Sequence, residues 1–168
     1  MNLFEMLAAV KDFTEGDYVE CGVWMGETAQ RIAERMNPEA RLYLLDSFAG
    51  HAEPMEFDDA RSHPKGRYSN TSIELVAKKV PGATILAGFI PETFPVIEGC
   101  RFRFAHIDVD HYLPTKAACE FFKTRMVHGG IIRFDDYASG DCPGATKAVD
   151  EVFGRDNIVP GDSRWISS

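Results

Sequence analysis

Short apolar runs alternate along the chain with stretches in which apolar residues recur every three or four positions. Runs of four to six apolar residues closed by turn residues are the signature of strands covered on both faces, and the wider spacing is that of amphipathic helices. The first residues place Leu3, Met6, Leu7 and Val10 on one side of a short helix. Strands are then predicted at 18–21, 41–45, 84–87, 103–107 and 131–134. Between them fall helices at 26–36 (inner face Ala29, Ile32, Ala33, Met36), at 72–80, and as a short piece at 91–97. Pro38 and Pro81 lie just past the first two, where a helix stops. Pro114 opens a further helix whose apolar positions are Ala117, Ala118, Phe121, Phe122 and Met126, with Gly129-Gly130 closing that passage. Pro143 opens the last, with Ala145, Ala148, Val149 and Val152 inward. Proline suits a first turn because the N–H it lacks has no helical partner there. The tail carries two strand-like pieces about a Pro160-Gly161 turn.

Strands joined by helical crossovers make a mostly parallel sheet with helices on both faces. The tail adds an antiparallel hairpin at one edge. At 168 residues this is one α/β domain, 1–168. The stretch 47–70 breaks the rhythm. It is rich in Gly, Pro, His and Asp and has no period. A structureless run of that length in a small domain is commonly functional, and it is expected to form a lid or acceptor-side segment.

The formal net charge of -8 disfavours nucleic acid as a partner, which calls for a basic stripe. No window is long and apolar enough for a membrane span. Cys21, Cys100, Cys119 and Cys142 form no CxxC pair, and the start of the chain lacks a signal-peptide pattern. Reduced thiols and a cytoplasmic location are expected. The apolar side of the N-terminal helix offers a surface for a homodimer.

In open α/β sheets, ligands bind beyond the carboxyl ends of the strands. Here those ends carry Glu20 and Gly22, Asp46 and Ser47, Gly88 and Phe89, Asp108 and Asp110, then Asp135 and Asp136. So many acids on one rim repel unless a cation or donor compensates. The first loop, Glu20 to Gly26 with Trp24 inside it, reads ExGxxxG. Its glycines allow close backbone approach, and the free N–H groups of the following helix favour an anion. Asp46, about 20 residues on, is placed to accept from a ribose diol. Together they indicate a nucleoside-bearing cofactor. Asp108, Asp135 and Asp136 offer oxygen ligands suited to magnesium or manganese. Such an ion would hold a hydroxylated acceptor and favour its alkoxide. Asp110 and His111 are the candidates for taking the hydroxyl proton. His51, His63 and His128 have no assigned role, and His106 reads as a packed core residue.

The stretches YVECGVW, LYLLDSFAG, GRYSNTSIE, ETFP, IDVDHYLPTKAACEFF, GGIIRFDDY and PGATKAVDEVF resemble, in order, the macrocin O-methyltransferase family, from Tyr18 to about Phe153. The resemblance implies a Rossmann-like class I methyltransferase fold, S-adenosylmethionine as donor, Mg2+ (or Mn2+) as helper, and a hydroxyl of a small molecule such as a sugar or polyketide glycoside as acceptor. It places the cofactor loop on Glu20, Gly22 and Gly26, the ribose acid on Asp46, and metal carboxylates on Asp108, Asp135 and Asp136. Met25 and Glu27 depart from the family pattern, and an inward Glu27 would oppose the donor's carboxylate. Arg133, inside a strand, needs a partner. Two other readings compete. An NAD(P)-dependent oxidoreductase would call for GxGxxG, and a binding protein without catalysis would take the nucleoside cofactor without metal-dependent turnover.

Overall fold

The apolar runs become β1 (Asp17–Cys21), β2 (Leu42–Asp46), β3 (Thr84–Ala87), β4 (Phe102–Ile107), β5 (Met126–Phe134) and β6 (Arg164–Ile166). They form one six-stranded sheet of order β3-β2-β1-β4-β5-β6 in the computed structural model, which describes residues 1–159 and 163–168. β1 to β5 run parallel and β6 returns antiparallel on β5. The predicted Pro160-Gly161 turn lies outside the described residues, while Val159 bridges Arg164 beside it. The chain starts at the centre of the sheet, winds outward to β3, and then crosses back to β4. Such a reversal opens a crevice at the carboxyl ends of β1 and β4.

Among the described residues five α-helices cover the two faces: α1 (Leu3–Val10), α2 (Glu27–Ala33), α3 (Ile73–Lys79), α4 (Tyr112–Lys123) and α5 (Pro143–Phe153). Met6, Leu7, Ala29, Ile32 and Val76 pack against Tyr18, Leu42, Leu44 and Phe104 on one face. Ala118, Cys119, Phe122, Val149 and Phe153 pack against Val19, Leu45, Ala105, Ile107 and Ile132 on the other. Alternate residues of each strand therefore feed opposite cores, which is why the strands read as unbroken apolar runs.

α1 is fixed at its start by a capping box between Asn2 and Glu5. Its Met6, Leu7 and Val10 are buried in the chain's own core. Those positions, expected to serve a dimer, are thus covered within the chain, and the buried Arg103 donates to the Lys11 carbonyl at the end of α1 at 3.1 Å. Leu7→Ala should cost about 2–5 kcal/mol in urea unfolding. A loss below about 0.5 kcal/mol, the size of an ordinary surface change, would mean that α1 is not docked.

α2 stops at Ala33, short of the predicted Met36, the 91–97 piece is only a 3-10 turn at Phe94–Ile97, and three further boundaries differ from expectation. α4 starts at Tyr112, so Pro114 is its third residue, still within the turn whose N–H groups lack helical partners. Met126 opens β5 rather than ending a helix. Gly129-Gly130 lie inside β5, because residues 127–130 stand opposite Arg103 alone. Gly129 takes φ +76 and donates to the Ser167 carbonyl at 2.9 Å, so the bulge is stitched to the tail. Residues 47–70 form neither helix nor strand, as expected.

Candidate active site

Beyond the carboxyl ends of the strands lies a cavity of about 650 Å³. Glu20, Gly22, Trp24, Asp46, Ser47, Gly88 and Phe89 line it together with Asp108, Asp110, His111, Asp135 and Asp136. Of the residues assigned to the site from the sequence only Gly26 is not on its wall. Gly26 instead caps α2 in the left-handed region, φ +77.

The half beside β1 and β2 is built from the first loop. Asp46 Oδ2 accepts from the Val23 and Trp24 N–H groups at 2.7 and 2.8 Å, and Oδ1 accepts from Phe48 N–H at 2.8 Å. A carboxylate has about four acceptor positions, so Asp46 fixes the loop and retains about one for a ligand. Ser47 donates to the Gly50 carbonyl at 2.8 Å and shapes the start of the lid. Gly22 was expected to let the backbone approach a ligand. Its closest demand is internal: at φ +83, a Cβ there would sit 1.7 Å from the Asp108 carbonyl oxygen. Glu27, on the cavity wall at the start of α2, pairs its carboxylate with Lys79 Nζ at 2.7 Å.

Glu20 and His106 are both buried, with Glu20 Oε1 2.9 Å from His106 Nδ1. His106 is therefore a packed residue, as expected, and also a strut beneath the rim. Burial disfavours its charge, but hydrogen bonds with Asp135 and Glu20 prevail and lift its pKa to about 9. The same hydrogen bond, against burial, holds Asp135 down at about 2, with Arg133 adding to it. Arg133 thus finds its partner in Asp135, at 2.6 Å. Glu20 Oε2 is buried, without a hydrogen-bond partner, on the cavity wall.

The other half is acidic. Burial, with the charges of Asp136, Asp135 and Asp110, pushes the Asp108 carboxyl well above its ordinary range. Burial and the Asp110 charge raise Asp136 to about 7. Asp108, Asp135 and Asp136 do not meet at one point. Asp108 and Asp135 gather with His106, and Asp136 gathers with Asp110 and Cys142. The reason is local: Asp136 Oδ2 accepts the Asp110 backbone N–H at 2.9 Å, and Asp135 turns to Arg133. Asp110 is held at φ +58, a conformation aspartate tolerates better than most residues.

Residues 47–70 close over both halves. Trp24 Nε1 donates to Asn70 at 2.9 Å, and the Trp24 ring packs on Tyr68 with centroids 5.3 Å apart. At the acidic end Asp58 accepts from Tyr112 N–H at 2.7 Å. His51 Nε2 lies 3.0 Å from Asp110 Oδ2, and His63 Nδ1 lies 3.0 Å from Asp110 Oδ1. His111 Nε2 meets the His63 carbonyl at 2.9 Å. Burial lowers the His111 pKa, which favours the neutral ring, and the contact with the His63 carbonyl anchors the lid. Sequence reasoning left His51 and His63 unassigned and saw Cys142 only as a thiol. Their one signal was histidine density in an aperiodic stretch.

No curated protein matches the chain by sequence. Among solved structures it is similar to CalS11, a calicheamicin methyltransferase, with TM-score 0.82 and 21% identity, covering 97% of this chain and 76% of that one. It is also similar to the O-methyltransferase NovP, with TM-score 0.79 and 22% identity over 98% and 77% of the two chains. An O-methyltransferase from Bacillus cereus in complex with SAH gives TM-score 0.57 and 14% identity over 89% and 66%. At these identities the likenesses establish the fold. The family described as a methyltransferase domain matches residues 19–137, which is most of the chain and runs from within β1 through β5. The chain belongs to that methyltransferase-domain family.

Proposed function

We propose that the protein is an S-adenosylmethionine-dependent O-methyltransferase, assisted by a divalent cation, that acts on a hydroxyl of a small molecule of the sugar or polyketide-glycoside class. The observation that carries this reading is one cavity joining a braced loop and an orphaned buried carboxylate to an acidic rim. Its volume of about 650 Å³ is that of a small-molecule site. The two structures of highest TM-score quoted above are a calicheamicin methyltransferase and an O-methyltransferase, which favours a hydroxyl on a decorated natural product. The macrocin-type resemblance in the sequence points the same way.

In the donor half, Glu20 Oε2 offers an acceptor to the α-ammonium of the amino-acid moiety. Asp46 retains room for a ribose hydroxyl, and Gly88 and Phe89 flank the base. The acidic half fits a hard cation, because Asp108 is half-buried beside three other carboxylates and receives no hydrogen bond from the described residues. Asp108 and Asp135 would hold magnesium or manganese, and Asp136 would join them by turning away from the Asp110 N–H. The ion supplies a lowered hydroxyl pKa and a fixed acceptor orientation. Asp110 faces the cavity and accepts the hydroxyl proton, and His51 is placed to relay it from Oδ2. His111 takes the anchoring role, since its Nε2 is turned to a backbone carbonyl. The lid excludes water, and alignment of hydroxyl and methyl carbon provides much of the rate.

Calorimetric titration with S-adenosylmethionine and S-adenosylhomocysteine, with magnesium and after chelation, should show micromolar binding of both. Binding of neither under any condition would remove the donor from this reading.

A further inference from the structure

Given the methyl-transfer reading of this cavity, on which the inference rests, we propose that its acceptor is a hydroxylated amine. The ammonium group is held on the lid side by Asp141, and phosphate-bearing acceptors are turned away. Ten Asp and Glu residues line the cavity, and among the described residues no Lys or Arg does. Much of that acid has other partners. Glu27 pairs with Lys79 at 2.7 Å, Glu53 with Lys65 at 3.2 Å and Asp135 with Arg133 at 2.6 Å. Glu20 and Asp46 serve the donor half, and Asp108 and Asp136 the cation. Asp58, Asp110 and Asp141 are left, and they stand where the lid meets the starts of α4 and α5. No described Lys or Arg pairs with any of the three. Their basic neighbours are imidazoles: His51 and His63 face Asp110, and His63 also lies 3.5 Å from Asp141. Arg67, on the same segment, donates instead to the Ser62 carbonyl and lies over the Tyr68 ring at 4.8 Å.

The same wall is short of hydrogen-bond donors. His63 is 3% exposed and lines the cavity, yet its Nδ1 makes no hydrogen bond, although Asp110 Oδ1 is only 3.0 Å away. A buried polar atom without a partner asks for one from a ligand. An ammonium brings three donors and no acceptor, whereas a phosphate brings acceptors and charge of the wrong sign. Asp141 is the carboxylate a ligand can reach, since its side chain is 56% exposed at the cavity wall.

Phosphate is bound in proteins by basic side chains or by the free N–H groups of a helix start. The first are missing from this wall, and Asp58 occupies the second. Its Oδ1 accepts the Tyr112 N–H at 2.7 Å at the start of α4. A Cβ on Gly144, at the start of α5, would lie 2.0 Å from the same oxygen. One carboxylate from the lid therefore covers both helix starts. Met55 and Leu113, 44% and 51% exposed on the cavity wall, give the body of the acceptor an apolar surface.

The test is calorimetric titration of the full chain, with magnesium and S-adenosylhomocysteine, using three probes. They are phenyl 2-amino-2-deoxyglucoside, phenyl glucoside (a hydroxyl in place of the ammonium) and UDP-glucose. The amine should bind about tenfold tighter than the glucoside, the worth of a charge-assisted hydrogen bond, and UDP-glucose should bind weakest. Asp141→Asn should lower the ratio of amine to glucoside affinity about threefold, as removal of a partly exposed pair does, with an unchanged far-ultraviolet circular dichroism spectrum. Equal affinity for amine and glucoside, UDP-glucose binding tightest, or a ratio untouched by Asp141→Asn would each overturn the inference. Donor binding without amine preference leaves the methyltransferase reading intact. Amine preference in a protein that binds no donor removes that reading and keeps the charge selection.

Discussion

Asp108→Asn should abolish divalent-ion-dependent turnover, by roughly a hundredfold or more, while making the ion-free protein more stable. The two effects have one cause. Asp108 sits at the end of β4 with Asp110, Asp135 and Asp136 around it, and burial raises its pKa together with their charges. No described residue donates a hydrogen bond to its carboxylate. A half-buried charge crowded by like charges costs stability in the absence of a cation. The amide keeps the shape and removes the charge, so the gain is on the order of 1–3 kcal/mol. At this chain length that raises the melting temperature by roughly 2–4 °C per kcal/mol. Donor affinity should stay near the wild-type value, because the donor half rests on Glu20, the first loop and Asp46. Melting with and without magnesium, donor titration and initial rates decide the matter. A collapse of donor affinity in a folded variant would move Asp108 into the donor half. Unchanged turnover would remove the acidic rim from the chemistry.

Much of this rim could be read before any coordinates, and the reason is geometric. A parallel sheet delivers the carboxyl end of every strand to one edge, so residues just after predicted strands must be neighbours. That logic brought Glu20, Asp46, Asp108, Asp110, Asp135 and Asp136 to one cavity. It could not decide rotamers. Asp136 turns to the Asp110 backbone and Asp135 to Arg133, so the three expected metal carboxylates are split between two groups. The boundary errors arise where a local rule met a tertiary contact. Gly129-Gly130 reads as a stop by composition, but pairing of β5 with the tail turns it into a bulge. The lid was legible only as an absence of period. His51 and His63 are separated from Asp110 by 59 and 47 positions, and no periodicity links residues so far apart across an irregular segment. The exposed apolar side of α1 was inferred from amphipathicity alone, which gives a face but not what covers it. Here the covering surface is Tyr18, Phe104 and Ile131.

Gly22→Ala should be the most damaging glycine-to-alanine change among the described residues. A glycine in a loop is usually replaced at modest cost, and the neighbouring Gly26 gives the measure. Gly26 also has positive φ, but a Cβ there would meet nothing closer than Lys79 Cδ at 3.5 Å. Its replacement by alanine should cost about 1 kcal/mol, the ordinary penalty for that conformation. At Gly22 the added carbon would lie 1.7 Å from the Asp108 carbonyl oxygen and 2.7 Å from its carbonyl carbon. These are backbone atoms and cannot turn aside. Nor can Gly22 retreat, because its N–H is bonded to the Leu45 carbonyl at 2.9 Å, while Asp108 N–H is bonded to the Cys21 carbonyl at 2.9 Å. The methyl must therefore spread β1 from β4 at the centre of the sheet. Overpacking of a rigid contact costs about 1–3 kcal/mol, to which the left-handed conformation adds about 1–2. The displacement would also shift Asp108 on one side and the first loop on the other, so donor and ion binding should fall together. Urea unfolding of the two alanine variants, with donor titration of whichever folds, gives the comparison. If Gly22→Ala were no less stable than Gly26→Ala, the close approach of β1 to Asp108 would be wrong. The loss of donor binding alone, at wild-type stability, would restore the simpler view that Gly22 serves the ligand.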